Sequence, residues 1–268
     1  MTGAPGDLTH PDIRLEGIEK TFGAGDKAVV ALDRTDLEIL SGQFLVLLGP
    51  SGCGKTTFLR MIAGLIEPTE GTVLIGDRSL WQDNKRDAEA LKELGVVFQE
   101  ANLFPWMKIA ENISLPLKLR GVGTKERLAR ASELCELVGI SGFENSWPRQ
   151  LSGGMRQRAS LARALSQQPH ILLMDEPFGA LDALTRDQLN LELQRIWLDR
   201  KCTVIFVTHS ITEAVFLADR VLLLSPRPGR IDTVIDVDFP RPRPTSVQET
   251  PEFQAIVREL RSRLEQIG

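Results

Sequence analysis

A chain of 268 residues is long enough to bury a proper core as one α/β domain or as a domain with a subdomain. A formal net charge of -4 and a pI of about 5.6 leave no basic excess, so nucleic acid is excluded as the default partner. Cys53, Cys135 and Cys202 are odd in number and widely spaced with no Cys-x-x-Cys pair, which argues against a disulfide framework or a zinc site and for a reducing, cytoplasmic setting.

Residues 1–11 read as a disordered lead, polar and Gly/Pro-containing rather than a signal peptide. No apolar run approaches the roughly 18 residues of a membrane span, so the expectation is a soluble chain that borrows any membrane role from partners. Residues 13–22 and 28–40 alternate apolar and β-branched positions around a Gly-Ala-Gly-Asp-Lys turn, which predicts a hairpin beside a main sheet, with Phe22 at its turn.

The apolar run 44–48 is followed by Gly49-Pro50-Ser51-Gly52-Cys53-Gly54-Lys55-Thr56-Thr57 and then by a helical pattern. Strand, glycine loop and helix in that order make a phosphate cradle, because the loop turns successive N–H groups inward and the helix start adds partial positive charge. Lys55 can reach terminal phosphates, and the Thr56 hydroxyl sits where a Mg²⁺ ligand is needed. Cys53, beside Lys55 at a helix start, is expected to favour thiolate and to be alkylated with nucleotide protection.

Residues 71–76 and 95–98 are short strands, the second ending at Gln99. Residues 109–138 read as helix, either plain core or a docking platform, and residues 155–167 as a strong helix behind Ser152, Gly153 and Gly154, a second anion-binding helix start. The continuously apolar run 170–174 suits a parallel strand buried on both faces, and it ends in Asp175-Glu176. A helix (184–197), a strand (203–207) ending at His209, a helix (212–218) and strands at 221–224 and 231–237 follow. Alternating prolines at 240–244 predict an extended, solvated connector before an amphipathic closing helix.

These strands would bring the phosphate loop, Asp175, Glu176, His209 and Gln99 to one sheet edge, where ligands bind in open parallel sheets. Attack of water on a γ-phosphate needs a metal, a group to orient the water and donors for developing charge. Asp175 suits the metal and Glu176 the water, with His209 placed for the γ-phosphate.

The motif order resembles that of the ATP-binding subunits of ATP-binding cassette (ABC) transporters over about residues 12–230: phosphate loop 49–57, Gln99, signature Leu151-Ser152-Gly153-Gly154-Met155-Arg156-Gln157-Arg158, the strand ending in Asp175-Glu176, Ala180-Leu181-Asp182, and His209. The resemblance implies an α/β P-loop NTPase (RecA-like) core with an antiparallel β subdomain and a helical subdomain inserted at about 100–165, within an ATPase domain of residues 12–239, followed by a connector and helix at 240–268. It implies Mg-dependent ATP hydrolysis with Glu176 as general base, Lys55, Gln99 and His209 assisting, and Mg²⁺ held by Thr56, Asp175 and Gln99. Nucleotide contacts fall on Phe22 against adenine, on residues 49–57, and on Ser152, Gly153, Gly154 and Asp182, those of the signature reaching across a head-to-tail homodimer. The chain departs from the family in having no tyrosine, leaving the adenine face to Phe22, and in Met155 where many members carry glutamine.

Phe104-Pro105-Trp106, residues 178–186, the signature's Met-Arg-Gln-Arg and Ser225-Pro226-Arg227-Pro228-Gly229-Arg230-Ile231 look like the nitrate, sulfonate and taurine importer branch. That likeness implies a peripheral motor on the cytoplasmic face of a bacterial inner membrane. Its partners would be two integral membrane permease subunits and, indirectly, a periplasmic or lipoprotein solute-binding protein. The alternative is a soluble ABC ATPase of DNA repair or translation, which usually carries two cassettes or a long coiled-coil insertion.

Overall fold

In the computed structural model, residues 11–267 are described. The expected disordered lead falls outside them except for Pro11, which begins the first strand.

Strands β1 (Pro11–Phe22) and β2 (Val29–Leu40) form the predicted antiparallel hairpin, and β3 (Phe44–Leu48) runs into the glycine loop and helix α1 (Lys55–Ile62). Next come β4 (Glu70–Ile75), three two-residue strands, β5 (Arg78–Ser79), β6 (Trp81–Gln82) and β7 (Lys85–Arg86), and then α2 (Ala88–Lys92) and β8 (Leu94–Val97). A helical block follows: α3 (Ile109–Leu119), α4 (Thr124–Leu137) and α5 (Gly153–Leu165). The chain closes through β9 (Ile171–Asp175), α6 (Ala183–Arg200), β10 (Thr203–Val207), α7 (Ile211–Leu217), β11 (Arg220–Leu224), β12 (Ile231–Asp236) and α8 (Pro251–Ile267).

The main sheet has the order β12-β11-β3-β10-β9-β8, parallel except for β12, and a second sheet, β2-β1-β4-β5, is antiparallel. The class is therefore α/β with an antiparallel β subdomain. The strand at 70–75 belongs to this second sheet, paired with β1.

Side-chain alternation along the central strands divides the interior in two. Phe44, Val46, Leu172, Met174, Val204 and Phe206 face a core shared with α3–α8, while Leu45, Leu47, Ile171, Leu173, Ile205 and Val207 face one shared with α1 and the antiparallel sheet. A strand buried on both faces has no polar side, which is why these segments read as unbroken apolar runs. The period of two explains how one run feeds both cores.

The helical block at 109–138 consists of two helices. Gly121, at a φ of +82°, permits the left-handed turn between them, and Gly123 caps α4.

A larger difference concerns residues 240–244. Instead of a solvated connector, this stretch is pinned against the body of the protein. Arg243 is 1% exposed. Its guanidinium donates to the carbonyls of Val215 (3.1 Å), Phe216 (2.9 Å), Ala218 (2.8 Å), Val237 (2.9 Å) and Phe239 (3.3 Å). Its backbone N–H donates to Gln194 Oε1 and its carbonyl accepts from Gln194 Nε2. Arg241 pairs with Asp219 at 2.7 Å and lies 4.3 Å from the Trp197 ring centre. Burial pushes the Arg243 pKa down to about 9, with neighbouring Arg241 adding to the effect. A buried cation persists where its donors are spent on fixed acceptors, and the orphan carbonyls at the end of α7 supply them.

Candidate nucleotide site at the carboxyl edge of the sheet

Strand register decides which side chains meet. Leu47 lies level with Val207, and Val207 with Asp175, so β3, β10 and β9 end together and deliver the glycine loop, Thr208-His209 and Asp175-Glu176 to one edge.

The glycine loop is shaped by close approach. Gly54 has a φ of +105°, and a Cβ there would sit 2.7 Å from the Ala31 carbonyl oxygen of β2. Only glycine suits that conformation in that space. The loop passes directly into α1, whose first N–H groups have no partner within the helix. Lys55 is only 5% exposed, and its ammonium donates to the carbonyls of Gly49 (2.8 Å) and Pro50 (2.9 Å). The Cys53 sulfur lies 4.0 Å from it, and among the described residues no carboxylate forms an ion pair with it, which leaves the charge available to an anion.

The cavity here has a volume of about 490 Å³. Its walls include Phe22, Ser51, Gly52, Gly54, Lys55, Thr56, Thr57 and Glu176 from the sequence-derived set, together with Val29, Ala31 and Arg227. One end is therefore apolar and aromatic, the other is rich in backbone N–H groups and cationic. Phe22 lines the apolar end and is 42% exposed, with the Lys20 ammonium 5.4 Å from its ring centre.

Thr56 Oγ1 donates to Asp175 Oδ1 at 3.0 Å. Burial raises the Asp175 pKa, an effect opposed by the Thr56 hydrogen bond and by Arg60. A hydroxyl and a carboxylate side by side are hard oxygen donors of the kind Mg²⁺ takes alongside phosphate and water, so the residues present fit that ion. Among the described residues no cluster of three or more His, Cys, Asp or Glu side chains could hold a metal by itself. Glu176 has a φ of +43°, uncommon for a side-chain-bearing residue, and its carboxylate Oε2 is 3.3 Å from His209 Nδ1.

Other sequence-derived residues lie elsewhere. Gln99 is exposed and off the cavity wall, with its backbone carbonyl accepting from Gln157 Nε2. Ser152 caps α5 by accepting from the Met155 N–H at 3.2 Å, and Asp182 caps α6 by accepting from the Thr185 N–H at 3.0 Å. Neither they nor Gly153 and Gly154 line the cavity. Cys53 is 1% exposed, so the expectation that reagent reaches its sulfur is corrected: the loop folds over the side chain and closes it off.

Arg227 was missed as a site residue, although the segment 225–231 stands out in the sequence. Its position depends on a contact with Gly52, 175 residues away along the chain.

The family profile for ABC transporters matches residues 32–179. The chain is 46% identical to an uncharacterized ABC transporter ATP-binding protein of Methanocaldococcus jannaschii, covering 92% of this chain and 90% of that one. It is 45% identical to a taurine import ATP-binding protein of Rhizobium johnstonii (88% and 89% covered) and 40% identical to an aliphatic sulfonates import ATP-binding protein of Bacillus cereus (96% and 97%). Among solved structures, a dimeric ATP-binding cassette in a post-hydrolysis state with ADP and Pi superposes with a TM-score of 0.75 at 34% identity, covering 85% of this chain and 99% of that one.

Proposed function

The chain belongs to the ABC transporter family, as an ATP-hydrolysing ATP-binding subunit, and from that premise we propose that it powers a bacterial importer of sulfonate, taurine or nitrate-like anions as a homodimer closing on ATP. One observation carries the dimer: Ser152, Gly153 and Gly154 form a capped helix start with spare N–H groups, outside the cavity that holds the phosphate loop. A helix start that serves an anion in this chemistry must then meet the cavity of a second copy. The dimeric relative with ADP and Pi supports the same reading.

In the closed pair, Phe22 stacks on adenine, the loop at 49–57 wraps the phosphates and Lys55 pairs with the terminal ones. Thr56 and Asp175, together with Gln99, would hold Mg²⁺, which when bound would offset charge on the phosphate oxygens. Glu176 accepts hydrogen from the attacking water, and His209, already beside it, fixes the carboxylate and reaches the γ-phosphate. Ser152 and the N–H groups of 153–154 cover the same phosphate from the partner copy, with Asp182 nearby.

No helix among the described residues is long and apolar enough to cross a membrane. The names of the taurine and sulfonate import relatives support the reading that permease subunits supply the path, with this chain on their cytoplasmic side and the solute-binding protein acting through them. Reconstitution with co-purified membrane subunits tests this. ATPase stimulated by an aliphatic sulfonate, taurine or nitrate with its binding protein is expected. Full turnover by a strictly monomeric chain, or by S152A with Gly153 also replaced, refutes the shared site.

A further inference from the structure

The segment Ser225–Arg230, between β11 and β12, is a built loop with no part in the roles assigned above. Ser225 N–H donates to the Arg230 carbonyl at 2.9 Å, the Ser225 hydroxyl donates to the Pro228 carbonyl at 3.2 Å, and the Arg230 N–H donates back to that hydroxyl at 3.1 Å. The loop is also sealed to its surroundings. Gly229 exchanges backbone hydrogen bonds with β2, donating to Ala31 at 3.2 Å and accepting from Asp33 at 2.9 Å, and a Cβ on it would lie 2.1 Å from the Cys53 carbonyl oxygen. Arg230 anchors the same stretch through an ion pair with Asp33 at 2.6 Å.

This scaffold carries one side chain over the phosphate loop. Arg227 Nη2 donates to the Gly52 carbonyl at 3.3 Å, and the residue lines the cavity with Phe22, Lys55 and Thr57. One long bond to a neutral oxygen uses one of five guanidinium donors. Among the described residues no carboxylate forms an ion pair with it, whereas Arg230, three residues on, is paired. A cation held by a pre-formed loop at the mouth of a phosphate cradle, with donors to spare, meets the charge of whatever the cradle binds.

We propose that Arg227 is a nucleotide-binding residue of this chain, pairing its charge with the phosphates of ATP and ADP. The inference rests on the nucleotide reading of the cavity. It adds a second cation to a site that otherwise has Lys55, and it makes the loop at 225–230 part of the binding apparatus. The contact is electrostatic, so it strengthens ATP and ADP alike and weakens as salt rises.

The test is calorimetric binding of MgADP and of MgATP to the full chain, at concentrations where light scattering shows monomer, for wild type, R227K and R227Q. Glutamine keeps a donor for the Gly52 carbonyl and removes the charge; lysine keeps the charge. R227Q should weaken both nucleotides about tenfold and flatten the salt dependence, while R227K stays within about threefold of wild type and all three melt alike. Wild-type affinity in R227Q overturns the proposal, and so does an equal loss in R227K and R227Q, which would mean that the side chain only props the loop. A wild-type chain that binds neither nucleotide overturns the reading of the cavity as well, and K55A serves as the variant that loses binding whichever role Arg227 has.

Discussion

The carboxyl edge of the sheet and the carboxyl-terminal arm both carry cationic side chains, but they use them in opposite ways. In the arm, Arg243 spends its donors on five carbonyls and Arg241 is matched to Asp219 and laid on Trp197. At the edge, Lys55 donates to two carbonyls of its own loop with the Cys53 sulfur 4.0 Å away, and the exposed Arg227 makes one long bond. Arg241 Nη1 is buried without a partner, but the other donors of the arm are spent on fixed acceptors and hold the structure, whereas donors with spare capacity at an open edge serve a ligand. The contrast separates two arginine-bearing segments that look equally polar in the sequence.

The largest effect expected is at the edge. E176Q should keep ATP affinity while turnover falls about a thousandfold, read as phosphate release against calorimetric binding. Unchanged turnover would remove Glu176 from the chemistry. In the arm, R243A should leave turnover per folded molecule intact but strand several buried carbonyls, costing about 3–5 kcal/mol and lowering the melting temperature by on the order of 10 °C. A shift of a degree or less would show that the arm contributes little to the fold. F22A should cost about 1–2 kcal/mol of adenine binding, roughly tenfold in Kd for ATP, with F22W retaining it. Equal affinity in F22A would move adenine away from that ring.

The smallest effect lies between the two regions, at the buried Glu213 of α7. Its carboxylate accepts from the Thr208 hydroxyl, with Arg186, His209 and Asn190 around it, while its Oε1 and Asn190 Oδ1 both lack a partner. Burial raises its pKa, against the pull of those neighbours. The folded state therefore holds the proton more tightly than the unfolded one. Its stabilising contribution is complete below the ordinary carboxylate pKa of about 4.3 and fades as pH rises through the raised value. E213Q keeps an acceptor for Thr208 and offers a donor to Asn190. Melting curves against pH should show wild type losing stability relative to E213Q across that window, and parallel curves would refute the assignment.

Much of the edge is written in contiguous residues. Gly49 to Thr57 specify their own loop and helix start because glycine conformations, backbone donors and the flanking apolar strand are all local properties, and the runs ending at Asp175 and His209 announce strands buried on both faces. The helical block was legible as helix, but where it divides is set by the turn that Gly121 permits between α3 and α4.

The sequence by itself determined the class of the fold, the phosphate loop, the carboxylate pair and the order in which the motifs arrive. Tertiary structure alone decided which distant segments touch: Arg243 beneath α7, Arg227 over Gly52, Cys53 under the loop and the capped start of α5 away from its own chain's cavity. The physical reason is that a segment's dihedral preferences and burial pattern are set by its neighbours in the chain. Whether a guanidinium ends in water, against carbonyls or above a phosphate site depends on sheet order and strand register, and no local stretch encodes those.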